Sequence, residues 1–389
     1  MSDKTIRVIH AWKPVISFTE LERSPPEGYC CEAPRPSSPL IPELARFGFS
    51  YRYQSAVGGY VPLQLLMSAL RSRVSKSDLI YAVTSVHRWD RPWVLDMLTE
   101  LPALLTTNER LLSHFRGWLR RLILDENCKG VVFWVDAGRR AFLQTLGYDL
   151  GEKAHTVRWG KRNQVNEMDL RSRIGRSKIR LLFVNSGNIN TPEHFYAKGG
   201  LETIHAFMLL RKRFPSLELV VRSNMPDEFK RYCRSFPNLH VIDDVVSREE
   251  IHTLWKSADI FVLPNHVNTP ASVFLDAMSY GLPVVTTDIW ANAELIQDGT
   301  NGLLIHHEQA SEYVDQDVMH LNSKKYSTLI RNGNKWLVRA LSENLAKLID
   351  SEELRFKIGK QNVLATTSGD FSAQKRNSRL KDFLDKATR

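Results

Sequence analysis

Three segments carry side chains whose types and spacing suit an anionic, hydroxyl-rich ligand. Lys198 precedes Gly199-Gly200 at the head of an apolar-periodic run that reaches Arg213, which places a lysine at a helix start. A cation beside the unbonded N–H groups of a helix start suits phosphate. An ordinary solvated loop lysine would read the same way. Asp276 lies in a helix predicted from Ser272, its N-cap, to Tyr280, stopped by Gly281 and Pro283. Its two carboxylate oxygens could accept hydrogen bonds from vicinal hydroxyls, or the acid could merely complement the helix dipole. Asn268, a little earlier, can bond sugar hydroxyls without bringing charge. The intervening Thr269-Pro270-Ala271 offers few backbone donors, because proline has no N–H. No Asp-x-Asp triplet stands at a strand end and the cysteines lack paired metal spacing, so neither metal nor cofactor is expected.

These segments sit on an alternation of strands and helices. In the first half, strands are predicted over Asp78–Thr84, Pro92–Asp96 and Val131–Val135, with a helix over Ala137–Leu146 ended by Gly147. Residues 20–62 are rich in proline, serine and glycine and read as a long loop, followed by an apolar helix near Leu63–Arg73. The polar, basic run from Arg158 to Lys178 reads as a linker. Beyond it come strands Arg180–Val184, Leu217–Val221, Leu239–Ile242 and Asp259–Leu263, with helices over Gly200–Arg213, Glu228–Arg234 and Arg248–Lys256 between them. Pro264 closes the last of these strands. Val284-Val285 starts another, and the turn dipeptides Asp298-Gly299 and Asn301-Gly302 precede an apolar Leu303–Ile305. A helix over Trp336–Leu348 and a last helix beyond Phe371–Asn377 complete the chain. The expected class is α/β: two Rossmann-like domains facing across a cleft, over 1–165 and 166–355, with a helical tail over 356–389 that crosses back to the first. Ligands of such sheets bind beyond the strand carboxyl ends.

The text from Asn268 through Asp276-Ala-Met-Ser-Tyr-Gly-Leu-Pro-Val-Val285, with Glu294 and Asp298-Gly299 after it, resembles the nucleotide-sugar-binding segment of family-4 retaining glycosyltransferases, the glycosyl transferases group 1 with the GT-B fold. Their usual text is Glu, seven residues, then Glu-Ala-Met-Ala-x-Gly-x-Pro-Val-Val. The resemblance implies transfer of a sugar from a nucleotide diphosphate sugar to an acceptor hydroxyl of a glycan, lipid or small molecule, with retention and without a metal. It puts Asp276 on the donor ribose, Lys198 on the diphosphate, and Asn268 where a Glu usually meets the donor sugar. Val245, in Asp243-Asp244-Val245-Val246, falls where the base meets backbone groups; Thr269, Ala271 and Ser272 line the donor. The family's usual arginine before the lysine is missing, and Arg222 is the candidate to replace it. In the first domain Leu98 stands where relatives place a His or acid, which leaves Asp96, His87 and Glu100 as candidates for a catalytic role.

At 389 residues, 43% apolar and 25% charged, the chain suits two soluble domains. No run approaches the ~18 apolar residues of a membrane span. An N-terminus without a long apolar region and the unpaired Cys30, Cys31, Cys128 and Cys233 point to a reducing cytoplasm. The net charge of +10 suits a diphosphate ligand or an anionic membrane surface; zinc-finger and RNA-recognition texts are lacking, so nucleic acid is not expected as partner. The run Glu109–Ile123 is amphipathic, with Arg110, Arg116, Arg120 and Arg121 mostly off its apolar face. It either packs on a sheet or lies on anionic lipid at the inner face of the membrane. Two readings other than an enzyme stay open: a catalytically silent nucleotide-sugar-binding subunit, and a peripheral membrane scaffold.

Overall fold

The computed structural model describes residues 3–10, 21–22, 24–32, 77–83, 86, 89–97, 109–185, 192–244, 246–266, 272–308, 310 and 330–388. The chain forms two compact units, one from 1–159 with 373–389 and the other from 160–372. The first boundary therefore falls before the expected 165/166. The chain also re-enters the first unit only at Ala373, later than the expected tail start.

The first unit holds a six-stranded, all-parallel sheet. Its strands are β1 (Lys4–His10), β2 (Tyr29–Cys31), β3 (Leu79–Val83), β4 (Trp93–Met97), β5 (Cys128–Phe133) and β6 (Ala154–Thr156), in the order β2-β1-β3-β4-β5-β6. The strand expected from Asp78 starts one residue later. Asp78 instead accepts hydrogen bonds from the Thr5 N–H at 2.7 Å and hydroxyl at 2.8 Å, tying β3 to β1. Central strands β3 and β4 are buried along their length, as both faces of a parallel sheet must be. Helix α1 (Glu109–Leu124) lays Leu119, Leu122 and Ile123 on the core with Trp118 packed beside them, while Arg116, Arg120 and Arg121 face solvent. Of its two expected roles, the apolar face takes the first and covers the sheet. Helix α2 (Asp136–Leu146) ends at Gly147 in the left-handed region, with φ 62°.

The second unit repeats the plan with greater regularity. A short α3 (Glu167–Arg171) leads to β7 (Arg180–Val184), α4 (Pro192–Ala197), α5 (Gly200–Leu210), β8 (Glu218–Arg222), α6 (Asp227–Arg234), β9 (Leu239–Ile242), α7 (Arg248–Ser257) and β10 (Ile260–Leu263). Then come α8 (Ser272–Ser279), β11 (Val284–Thr287), α9 (Asn292–Leu295), β12 (Gly302–Ile305), α10 (Lys335–Asp350) and α11 (Glu352–Thr367). All neighbours are parallel, in the order β12-β11-β10-β7-β8-β9. The order reverses between β7 and β10, and open α/β sheets bind ligands beyond the carboxyl ends of strands at such a switch point.

Helix α11, expected in the tail, stays in this unit for a physical reason. Asn362 donates from Nδ2 to the carbonyls of Leu282 at 2.8 Å and Asn301 at 2.9 Å, and a Cβ on Gly359 would lie 2.7 Å from the Gly281 carbonyl. Helix α12 (Ala373–Ala387) belongs to the first unit. Phe383 packs so close to β5 that a Cβ on Gly130 would meet its ring at 2.8 Å, and the Tyr29 hydroxyl donates to Asp385 at 2.8 Å.

Candidate functional site

The polar groups of the second unit gather at the strand carboxyl ends around the switch point. Lys198 occupies the turn between α4 and α5, half-buried, its N–H bonded to the His194 carbonyl at 3.1 Å. The turn needs glycine after it: Gly199 has φ 73°, and a Cβ there would sit 2.2 Å from the Pro264 carbonyl oxygen. Pro264 follows β10 directly, so the lysine turn lies against the end of the neighbouring strand across the reversal. The His266 N–H fastens it there by donating to the Ala197 carbonyl at 3.0 Å.

Beyond Pro264, the segment 267–271 lies outside the described residues, and with it Asn268, Thr269 and Ala271. The chain resumes at Ser272 as the first residue of α8. Phe274, Leu275, Ala277 and Met278 turn inward, while Asp276 stays partly open. Its carboxylate forms an ion pair with Lys161, a residue the basic linker text gave no reason to single out. Lys161 sits just after the chain enters the unit, with its N–H on the Phe371 carbonyl at 2.8 Å, beside the point where the chain leaves. A cation beside one oxygen leaves the carboxylate acceptor capacity for ligand hydroxyls.

Arg222 ends β8 at the same edge. It donates from Nη1 to the Asn185 carbonyl at 2.9 Å, bracing the ends of β7 and β8, and burial lowers its pKa. Asp243 follows β9 and pairs with Lys230 at 2.7 Å, a bond that holds its carboxyl below the usual carboxylate range. Val245 lies outside the described residues. A set of buried polar side chains fixes the end of β10: the Thr286 hydroxyl donates to the Leu263 carbonyl at 2.7 Å, the Thr287 hydroxyl to the Asn265 carbonyl at 2.6 Å, and Asn292 Nδ2 to Asn265 Oδ1 at 3.0 Å.

The first unit's candidate fares differently. Asp96 is fully buried in β4, where Tyr81 Oη donates to one carboxylate oxygen and Trp134 Nε1 to the other at 3.0 Å. Burial raises its pKa to about 7, against the opposing pull of those two bonds. Trp134 stacks on Trp159 with ring centroids 4.2 Å apart, and the buried Arg376 of α12 lies over Trp159 at 4.9 Å. The structure places Asp96, expected to be catalytic, inside the core with no exposure and both carboxylate oxygens engaged. His87, Leu98 and Glu100 lie outside the described residues.

Residues 180–322 match the family described as glycosyl transferases group 1. Among curated proteins, the chain is 26% identical over 194 residues to spore coat protein SA of Bacillus subtilis, covering 46% of this chain and 49% of that one. It is 29% identical over 126 residues to a D-inositol 3-phosphate glycosyltransferase of an Arthrobacter species, covering 30% of each. The chain thus spans half or less of the length of these relatives. Solved structures extend the likeness across both units at the level of fold. Anabaena HepE in complex with UDP and glucose superposes with TM-score 0.61 at 15% identity, over 98% of this chain and 99% of that one. WaaG, a glycosyltransferase involved in lipopolysaccharide biosynthesis, does so with TM-score 0.58 at 15% identity, over 97% and 98%. The two parallel α/β sheets are thus of the GT-B kind, and the segment that matches glycosyl transferases group 1 is the one that holds the lysine turn and α8.

Proposed function

We propose that the protein transfers a sugar from a nucleotide diphosphate sugar to an acceptor hydroxyl, with retention and without a metal. The observation that carries this is the lysine turn at the β7/β10 reversal, followed in the chain by α8 with a partly open Asp276 paired to Lys161. Lys198 neutralises charge on the diphosphate as it leaves, work that other enzymes give to a cation. Asp276 accepts from the ribose hydroxyls, Ser272 brings the start of α8 to the donor, and Asn268 orients the sugar. Arg222 braces the strand ends on the phosphate side. Val245, Thr269 and Ala271 contribute backbone to the base and donor pockets. The acceptor is a glycan, a lipid-linked saccharide or a small molecule. Among the described residues no helix is long and apolar enough to cross a membrane, and the arginine face of α1 suits an anionic surface at the cytoplasmic side.

Binding of UDP-, GDP-, ADP- and TDP-sugars by calorimetry, followed by transfer assays with and without chelator, tests the reading. One donor should bind and turn over in EDTA. Loss of turnover in chelator, restored by manganese, would remove metal independence; failure of every donor to bind would remove the function. The uncharged Asn268 favours one other outcome, a subunit that holds the donor without turning it over.

A further inference from the structure

Three titratable side chains lie inside the second unit, away from the donor contacts named above. Glu202, in the first turn of α5, is 0% exposed and takes the Asn334 N–H at 2.9 Å on Oε1. His266, also 0% exposed, brings Nε2 to 3.0 Å from the same oxygen. Its Nδ1 lies 3.0 Å from Nε2 of His307, a residue buried just beyond β12. The His307 N–H donates to Asp288 at 2.9 Å, so the row runs from the α5 helix to the end of β11.

A carboxylate withdrawn from water is unfavourable unless it is well paired, and apolar side chains of similar volume would often hold a core as well. The reason for a carboxylate against histidine at this place is therefore to be sought in its direction. Both arms of His266 reach the lysine turn. Its backbone N–H holds the Ala197 carbonyl, immediately before Lys198. Its ring holds Glu202, and the residue after Glu202, Thr203, donates both N–H and hydroxyl to the Gly199 carbonyl, at 2.9 and 2.8 Å. One histidine thus clasps the turn from its two ends. Protonation fits this use. Burial alone would raise Glu202, but His266, with the Glu202 and Asn334 N–H groups, brings it below the ordinary range. Burial first and then repulsion from His266 push His307 down to about 4, so near neutrality it is an uncharged partner.

We propose that Glu202, His266 and His307 form a buried positioning relay that sets the Lys198 turn for the diphosphate of the donor. The inference rests on the donor-site reading. It assigns the three residues no contact with the ligand; they act through Lys198.

The test compares UDP, GDP, ADP and TDP with uridine, guanosine, adenosine and thymidine, since only the diphosphates engage Lys198. In the relay, Glu202→Gln or His266→Gln weakens the bound diphosphate on the order of tenfold, leaves its nucleoside within about twofold, and has no further effect in a Lys198→Ala background. Should those variants fold poorly, the double substitution Glu202→Leu with His266→Leu keeps an apolar, well-filled core. It should melt near the unaltered protein and still bind the diphosphate weakly. Equal weakening of diphosphate and nucleoside, or a Leu/Leu variant that binds diphosphate normally, overturns the relay. Lys198→Ala without effect on diphosphate affinity overturns the donor-site reading beneath it.

Discussion

The two units share a parallel six-stranded plan but bury their polar groups to different ends. In the first, Asp96 sits in the middle of the sheet, on a strand flanked by β3 and β5, and its hydrogen bonds come from aromatic side chains of the same core. In the second, buried polar residues cluster at the carboxyl ends of β7, β8, β10 and β11: Asn185, Ser223, Asn265, His266, Thr286 and Thr287 among them. A carboxylate whose two oxygens are both taken by donors of its own core specifies packing, even one residue from the end of its strand. A polar cluster at the strand ends of a switch point prepares a surface for ligand. A buried acid is thus evidence for a site only when acceptor capacity is left over for a ligand.

The largest expected effect would sharpen this contrast from the first unit's side. Phe383 of α12 fills the space over Gly130 and meets the His155 ring at 4.7 Å. Phe383→Ala should cost about 3–5 kcal/mol of stability, as buried Phe truncations do. Hydrogen exchange should rise in β5 and β6, while nucleotide affinity in the second unit stays within about twofold of the unaltered value if the units are energetically independent. A tenfold fall in affinity would show that the units are not energetically separate.

Next comes Gly199→Ala. A left-handed alanine costs roughly 1–2 kcal/mol, and crowding the Pro264 carbonyl adds about 1–3 more. The lysine turn must lift off β10, so diphosphate affinity should fall together with melting temperature. An alanine variant with normal affinity would mean that the close approach of the turn to β10 does not matter for binding.

Asp276→Ala is expected to weaken nucleotide binding by about 1–3 kcal/mol, the loss of charge-assisted hydrogen bonds. Lys161 then loses that carboxylate, so the part of a Lys161→Met effect that runs through Asp276 should be present in the native background and absent in the variant. Unchanged calorimetric affinity in a folded Asp276→Ala protein would sink the ribose assignment.

The strands of the second unit were legible because parallel strands buried on both faces read as continuous apolar runs: Leu181-Leu-Phe-Val184 and Ile260-Phe-Val-Leu263. Its helix stops were equally plain, with Gly281 and Pro283 after α8. Short edge strands were not. β2 is three residues in a proline-rich stretch and β6 three residues after a glycine turn, too short for any period to show. The unit boundary was misjudged because the basic run 158–178 looked like solvated linker. Within it Arg173 in fact donates to the Tyr280 carbonyl at 3.0 Å, and Lys161 pairs with Asp276, so the run from Gly160 on is part of the second unit. Partners so far apart in sequence, Glu202 with His266 likewise, are set by strand order and leave no periodic signal. The surroundings of Asp96 were hidden for the same reason: its place at a strand end in the sequence said nothing of the Tyr81 and Trp134 donors that enclose it.

A last test asks whether Asp96 is structural: its effect vanishes at low pH and grows as pH rises. The folded-state pKa is raised by burial to about 7 from an ordinary 3.8. Below that ordinary value the carboxyl is protonated whether the chain is folded or not, and the shift has no effect on stability. As pH rises from about 4 to 7, the unfolded chain ionises first, so folding is progressively disfavoured; above 7 the full penalty applies. Asp96→Asn removes the titration while keeping an oxygen for Trp134 Nε1 and an amide that can donate to Tyr81 Oη. The substitution should therefore change stability little at pH 4.5 and stabilise the first unit increasingly toward pH 8. Urea unfolding of both proteins across that range, followed by tryptophan fluorescence, reads the difference. Transfer activity measured alongside should persist in the asparagine variant. An activity lost by more than about a thousandfold, the scale of a missing catalytic acid or base, would return Asp96 to the chemistry and erase the contrast between the two units.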